Sequence, residues 1–194
     1  KMKVKQHQHM EQNSFKIKSM RDVTQEAISY IAGRREHNIV SLKTRWNKFN
    51  KQCMGGIEPN TVYTIAGISG SGKSSIVNSI QVDLIDLNPS EEIIILCFSL
   101  EMVGFRQVGR VLSNRLRKTT STLYSAETDL DDKTFKEVVY VSNQLNEYPI
   151  YFVDNPGTPK QTEEIINSFY EQYVKNTNKH FVITYDHTLL TKQV

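Results

Sequence analysis

The sequence has little of what builds disulfide, zinc or membrane proteins. Among 194 residues there are two cysteines, Cys53 and Cys97, and one tryptophan. Two cysteines so far apart exclude a disulfide scaffold and a cysteine-rich zinc site, and they are typical of a reducing compartment. The longest apolar run, 93–98, is far shorter than the roughly 20 residues of a membrane-spanning helix. No secretory leader is recognisable, so we expect a cytoplasmic protein.

Positive charge is concentrated at the start of an otherwise near-neutral chain. The 24 basic and 21 acidic residues give a formal charge of +3. Five lysines and one glutamate give residues 1–20 a charge of +4, so the other 174 residues sum to −1. The bulk charge therefore does not indicate a nucleic-acid-binding protein. We interpret residues 1–19 as a basic arm or the remnant of an expression tag, in preference to a phosphate-binding arm.

Helical and strand patterns alternate along the rest of the chain. Apolar residues at helical spacing predict helices over 20–33, 73–87, 103–118, 131–146 and 160–176. β-Branched or continuous apolar segments predict strands over 61–66, 92–100, 150–153 and 181–185. Strands separated by helices of a dozen or more residues predict an α/β fold with a mostly parallel sheet flanked by helices. The only candidate domain boundary is the polar break at 34–40.

The strongest motif lies between the predicted strand 61–66 and the helix that follows. Residues 67–74 read Gly-Ile-Ser-Gly-Ser-Gly-Lys-Ser, which matches the phosphate-binding P-loop pattern. Glycines let successive N–H groups point at phosphate oxygens, and the helix adds its positive N-terminal end. In this pattern Lys73 reaches the β- and γ-phosphates and the Ser74 hydroxyl ligates Mg²⁺. The residues expected to bind nucleotide are Gly67, Ser69, Gly70, Ser71, Gly72, Lys73, Ser74 and Ser75.

Hydrolysis also needs acidic groups near the γ-phosphate, at the carboxyl ends of neighbouring strands. Two residues occupy such positions, Glu101 after the strand 92–100 and Asp186 after the strand 181–185. Asp186 suits the Walker B carboxylate that holds Mg²⁺, and Glu101 suits the base that activates water. The structural alternatives are a helix N-cap for Asp186 and a first-turn helix glutamate for Glu101.

Four segments in order resemble the C-terminal RecA-like ATPase domain of DnaB-type replicative helicases. Residues 54–59 resemble that family's Thr-Gly-Gly-Leu-x-Pro-Gly segment, and 98–102 resemble its Ser-Leu-Glu-Met signature. Residues 149–157 are similar to its Pro-Ile-x-Ile-x-Asp-x-Pro-Gly segment, and 182–187 align with its apolar strand and Asp-Tyr. The P-loop is shared by many ATPases, whereas the other segments are more specific. Small sequence variations suggest a phage or mobile-element member.

The resemblance implies a function and a division of the chain. It implies that 20–40 contain a linker helix and 41–194 a RecA-like core that hydrolyses ATP with Mg²⁺. It also implies Glu101 and Lys73 as catalytic residues, and Ser74 and Asp186 as Mg²⁺ ligands. The expected assembly is a hexameric ring that unwinds duplex DNA, holds single-stranded DNA at a replication fork and contacts primase or a loader through parts not present here.

The sequence departs from the family pattern in two ways. His187 follows Asp186 where the family has tyrosine, so any contact made by that ring is in question. The sequence also ends before the positions of the family's γ-phosphate-sensing glutamine, DNA-binding loops and arginine finger. We therefore expect the front part of a motor domain, which hydrolyses ATP weakly by itself. The alternatives are a recombination ATPase related to RecA and a non-catalytic nucleotide-binding loader or adaptor.

Overall fold

The computed structural model describes residues 17–100, 102–155 and 157–186, and its chain divides into two compact units, Lys1–Val40 and Ser41–Val194. The first unit contains one described helix, and the second contains three strands and six helices among its described residues. In chain order the elements are α1 (Met20–Arg35), α2 (Asn47–Gln52), α3 (Lys73–Asp86), β1 (Ile93–Ser99), α4 (Gly104–Leu116), α5 (Thr120–Tyr124), α6 (Asp132–Leu145), β2 (Ile150–Val153), α7 (Pro159–Tyr173) and β3 (His180–Asp186).

The helix of the first unit begins where the sequence predicts and ends two residues later. Ser19 and Asp22 form a reciprocal capping box, which satisfies N–H groups at the start of α1. Gly33, the last residue of the predicted helix, lies inside the observed one. The left-handed residue is His37, at φ 59°. Ile39 folds back so closely that a Cβ on Gly33 would lie 2.7 Å from its Cδ1 atom, which explains the glycine.

The sheet has three parallel strands in the order β2-β1-β3. The register aligns Ile95 with Ile150 on one side of β1 and Ile93 with His180 on the other. Every residue of β1 is buried. The continuous apolar run therefore marks a central parallel strand covered on both faces, as the sequence predicts.

The predicted strand at 61–66 does not form. The segment that leads to the P-loop has no regular secondary structure, and Val62 is 91% exposed. A strand needs a neighbour for its backbone hydrogen bonds, and this segment pairs with neither outer edge of the three-stranded sheet β2-β1-β3. The segment instead makes local bonds, in which the Tyr63 hydroxyl donates to the Gly56 carbonyl and accepts from the Glu58 N–H. β-Branched composition alone gave the wrong prediction here.

The four longer helices of the second unit, α3, α4, α6 and α7, match their predicted positions within a few residues, whereas α2 is not predicted. Some apolar residues of the longer helices face outward. Phe105 and Phe135 are 61% and 57% exposed. The Phe105 ring packs edge-on against Tyr124 of the short helix α5, with ring centroids 6.5 Å apart. The sequence pattern does not predict α5. A three-stranded sheet has too little area to cover every apolar side chain of the surrounding helices.

Polar contacts join the segment that precedes the P-loop to α3 and to Asn88, which lies just after α3. The carboxylate of Asp83 accepts bonds from the backbone N–H of Arg45 at 2.9 Å and from its guanidinium at 2.7–2.9 Å. The Asn88 side chain accepts from the N–H of Lys43 and donates to its carbonyl. Below these contacts, Leu42 joins Leu84 in the apolar core.

Candidate functional site

The loop at 67–74 has two glycines with positive φ values directly before a helix. Gly70 and Gly72 adopt φ values of 75° and 90°, which side chains of L-residues rarely tolerate. A Cβ at either position would meet nothing within 4 Å, so the backbone conformation rather than crowding requires glycine. A turn closes between them where the Ser71 N–H donates to the Ile68 carbonyl at 3.2 Å. The residues of the loop from 67 to 71 are exposed.

The helix α3 starts directly at the end of this loop. Gly72 is its N-cap residue, and Lys73 and Ser74 are its first two residues. No acidic side chain lies in the first turn, so the N-terminal N–H groups keep their capacity for an anion. The Lys73 ammonium is folded over the loop and donates one hydrogen bond of 2.9 Å to the Ile68 carbonyl. Two of its three N–H bonds remain for other acceptors.

The direction of α3 brings the P-loop to the carboxyl edge of the sheet. Leu84, near the end of α3, packs with Ile93 and Ile95 at the start of β1. One turn earlier, Gln81 contacts Cys97 near the end of β1. The helix therefore runs antiparallel to the strand, and Lys73 at its N-terminus lies beyond the carboxyl end of β1. In open α/β sheets this edge is where ligands bind.

Asp186 lies at the same edge and on the same face of the sheet. It is the last residue of β3 and pairs in register with Ser99, the last residue of β1. The Thr184 hydroxyl accepts a hydrogen bond from Gln81 at 2.6 Å, so that side chain faces α3. Because side chains alternate along a strand, Asp186 faces the same way as Thr184. The Asp186 side chain therefore lies on the face of the sheet that α3 covers.

The negative charge of Asp186 affects the thiol of Cys97, which lies on the same face of the sheet. Burial raises the pKa of the Cys97 thiol, and the negative charge of Asp186 raises it further. Hydrogen bonds to Thr184 and Gln81 act in the opposite direction. Cys97 is consequently a protonated, buried thiol and belongs to the packing behind the site.

Two of the sequence-predicted positions fall outside the described residues, namely Glu101 and His187. In the chain, Glu101 stands between the end of β1 and the start of α4. Its neighbour Met102 is described, and the Met102 carbonyl accepts a bond of 3.3 Å from the side chain of Gln107. The catalytic role assigned to Glu101 remains a prediction.

Sequence reasoning missed Asp154, which follows the end of β2. Its carboxylate accepts the Ser99 hydroxyl and the backbone N–H of Gly104, the latter at 2.9 and 3.0 Å to its two oxygens. One signal pointed to it, because an acidic residue directly after a predicted strand is the same pattern that singled out Asp186. In the sequence analysis, Asp154 is considered only as part of the segment 149–157 that resembles the helicase family.

Sequence reasoning also missed a buried polar group on α3. The side-chain amide of Gln81 contacts both β1 and β3, although it lies among apolar residues of the helix. A single glutamine in an amphipathic helix carries no spacing signal that would distinguish it from a surface residue. Its role becomes visible only from the sheet beneath it.

The fold and the loop define the class of the second unit as an α/β P-loop domain of the RecA type. The sequence of residues 41–193 matches the family described as DnaB-like helicase C terminal domain. Since this match covers more than three quarters of the chain, the chain belongs to that family. No curated protein matches the sequence.

Solved structures of an ATPase domain and of a replicative helicase share the fold. The chain is similar to the ATPase domain, with a TM-score of 0.68 and 15% identity over 87% of this chain and 58% of that one. It is also similar to a DnaB-like replicative helicase solved in a study of its interactions with primase. There the TM-score is 0.68, with 13% identity over 92% of this chain and 41% of the other. The chain thus spans about half the length of these neighbours.

None of its described helices is long and apolar enough to cross a membrane.

Proposed function

We propose that this chain is part of the ATP-hydrolysing motor of a ring helicase that unwinds duplex DNA during replication. The observation that carries the proposal is that the start of α3 and the side chain of Asp186 lie on the same face of the sheet, at its carboxyl edge. A phosphate-binding loop alone only binds nucleotide, whereas a carboxylate on the same face adds a means of handling the terminal phosphate. Membership of the DnaB-like helicase family supplies the context of unwinding.

ATP binding is assigned to the loop and the start of α3. The glycines at 70 and 72 take positive φ values, the conformation in which successive N–H groups can point at phosphate oxygens. The first turn of α3 presents further N–H groups and the positive end of its dipole. Lys73, already folded over the loop, has N–H bonds available for the β- and γ-phosphate oxygens. These groups contact the phosphates of a nucleotide and do not distinguish one base from another.

Ser74 and Asp186 fit the Mg²⁺ that accompanies ATP. A hydroxyl and a carboxylate are oxygen donors of the kind that Mg²⁺ binds together with substrate phosphates. Ser74 is half-buried in the first turn of α3, and Asp186 is half-buried at the end of β3. Bound there, Mg²⁺ would neutralise charge on the β- and γ-phosphates. The two residues would hold and orient that ion.

Glu101 is proposed as the general base. It takes a proton from the water that attacks the γ-phosphorus, while the bond from that phosphorus to the β–γ bridging oxygen breaks and ADP leaves. The negative charge that develops on the transferred group is stabilised by an arginine from the neighbouring subunit. Such arginines contribute roughly 10³–10⁵ in rate in other nucleotide hydrolases. The chain by itself should therefore bind ATP and hydrolyse it slowly.

The test compares two charge-removing variants in the oligomeric protein with single-stranded DNA. Glu101→Gln should lower phosphate release by about 10²–10⁴-fold, to a measurable residual rate, while a fluorescent ATP analogue still binds with wild-type affinity. Lys73→Ala should instead weaken that binding, because it removes a phosphate contact. Lys175→Ala, just after the end of α7, is the matched control and should change neither quantity.

Three outcomes would overturn the proposal. Wild-type turnover by Glu101→Gln would remove the assigned base. Absence of DNA-stimulated phosphate release at high protein concentration would favour a non-catalytic loader or adaptor. Filaments on single-stranded DNA, in place of closed rings in negative-stain images, would favour a recombination ATPase.

A further inference from the structure

The carboxylate of Asp154 ties together three elements at the carboxyl edge of the sheet. Asp154 directly follows β2, and it accepts the hydroxyl of Ser99 at the end of β1. It also accepts the first backbone N–H of α4, that of Gly104, at 2.9 and 3.0 Å. Ser99 is 1% exposed and Gly104 is buried, so both donors are shielded from competing water. One side chain thus joins β2, β1 and α4.

These two bonds hold both ends of the four-residue connection 100–103. Ser99 immediately precedes that connection and Gly104 immediately follows it. Four residues in an extended chain span up to about 14 Å, yet here the groups on either side meet at one carboxylate. The two ends of the connection are therefore kept close together. Glu101 is its second residue in the sequence.

The same connection is held from a second direction. The Gln107 side chain donates to the Met102 carbonyl at 3.3 Å. The backbone carbonyl of Gln107 in turn accepts the Asn78 side chain of α3 at 3.0 Å, and both side chains are buried. The helix that follows the P-loop thereby contacts the residue that supports the connection.

The chemistry of the contact accounts for an aspartate at position 154. The N-cap residue of α4 is Val103, which has no side-chain cap, and no acidic residue lies in the first turn of that helix. A carboxylate from another strand takes over the cap and complements the positive helix end. Because it caps α4 from β2, it fixes where α4 starts relative to the sheet, which a cap within the same segment would not do.

We propose that Asp154 is a positioning residue for ATP hydrolysis, which fixes the ends of the connection that contains Glu101. This inference rests on the proposed function, in which Glu101 is the base. Asp154 lies outside the P-loop and is assigned no contact with nucleotide. Its removal should therefore lower kcat and leave nucleotide affinity and KM nearly unchanged, because misplacement of a catalytic group by about 1 Å costs up to 10²-fold in rate.

The experiment uses the oligomeric protein with single-stranded DNA and compares Asp154→Ala with Asp154→Asn. Asp154→Ala should lower kcat by about tenfold or more, with KM and the affinity for a fluorescent ATP analogue within about twofold of wild type. Asp154→Asn keeps one acceptor oxygen and should recover part of the lost kcat. Ser99→Ala, which removes one bond and no charge, should give a smaller loss and serves if Asp154→Ala does not fold.

Asp131 provides a matched control, because its carboxylate caps α6 through the N–H of Thr134 at 2.9 Å. Asp131→Ala removes a helix cap of the same type at a helix that does not follow the connection. It should lower the unfolding midpoint without lowering kcat. If Asp154→Ala lowers only the midpoint, as Asp131→Ala does, Asp154 is a structural cap and the inference is wrong. An equal loss of nucleotide affinity and kcat would also overturn it.

A double variant separates this inference from the proposed function. If Asp154 acts through Glu101, Asp154→Ala should cost nothing further in the background of Glu101→Gln. Additive losses would show that Asp154 acts by another route. Wild-type turnover by Glu101→Gln alone would instead refute the assignment of the base, whatever Asp154→Ala does.

Discussion

The side-chain amide of Gln81 donates a hydrogen bond of 2.6 Å to the Thr184 hydroxyl, and so joins α3 to β3 inside the core. Gln81 is 1% exposed, and its amide also contacts the Cys97 sulfur at 3.1 Å. It lies eight residues after Lys73, and Thr184 lies two residues before Asp186. One buried amide therefore links the helix that begins at the P-loop to the strand that ends at Asp186.

Gln81→Leu should destabilise the protein by about 1 kcal/mol, because it leaves the half-buried Thr184 hydroxyl without its donor. The free energy of unfolding in urea measures this. Gln81→Leu combined with Thr184→Val should cost less than the two single changes added together, since both polar partners are then gone. Strict additivity of the two losses would contradict a direct interaction.

Arg45→Ala should lower the free energy of unfolding by about 2 kcal/mol. It leaves the Asp83 carboxylate, whose side chain is 4% exposed, without its guanidinium partner. Breaking a fully buried pair costs about 3–5 kcal/mol, and we expect less here because the Arg45 side chain is 42% exposed. Lys175→Ala, which removes an exposed pair with Glu171, is the control and should cause no measurable change. Equal decreases in the free energy of unfolding for the two variants would show that the burial of Asp83 does not strengthen its pair with Arg45.

Stability should decrease above about pH 9, partly because of Cys97. Burial raises the pKa of this thiol from its ordinary value of 9.0 in the folded state. Above that value the unfolded chain loses the thiol proton while the folded protein retains it, so the free energy of unfolding falls as pH rises. The burial of Tyr148 raises the pKa of its phenol and acts in the same direction from about pH 10. Urea unfolding at pH 7 to 11 measures the slope.

Cys97→Ala supplies the control for that slope. It removes the titrating thiol, so the decrease between pH 9 and 10 should be shallower than in the wild type by up to about 1.4 kcal/mol per pH unit. An unchanged slope would assign the alkaline loss to other groups. In the wild-type protein, a thiol reagent at neutral pH should modify the half-buried Cys53 and spare the buried Cys97 until urea unfolds the chain.

Gly72→Ala should weaken nucleotide binding more than it weakens the fold. A residue with a Cβ at φ 90° is strained by about 1–2 kcal/mol, and relaxation of that strain would turn N–H groups of the loop away from a phosphate. Titration with a fluorescent ATP analogue measures the affinity. Gly157→Ala is the matched control, because Gly157 has no positive φ and lies before α7. Comparable losses of affinity in both variants would argue against a role of the loop backbone.

The sequence predicts the sheet and its helices well where the burial pattern is unambiguous. The apolar run of β1 allows only a strand covered on both faces, and the structure confirms it. The segment 61–66 has equally suitable residues, but composition does not say whether a neighbouring strand is available. The end of α1 was missed for a similar reason, because the close approach of Ile39 to Gly33 depends on how the chain returns after the helix.

The candidate site follows the same division. The P-loop is predictable because its chemistry requires a fixed local spacing of glycines and lysine. Asp186 is predictable from its place after a strand, although its face of the sheet follows only from the register with β1. Asp154 and Gln81 act through residues far away in the chain, and no local pattern identifies such partners.

The start of α4 lies so close to β2 that a Cβ on Gly104 would be 3.1 Å from the Phe152 ring. A side chain at position 104 would therefore require the Phe152 ring to shift or to be replaced by a smaller side chain. Among homologues, a larger residue at 104 should be accompanied by a smaller one at 152, and correlated substitution of this pair should be visible in an alignment.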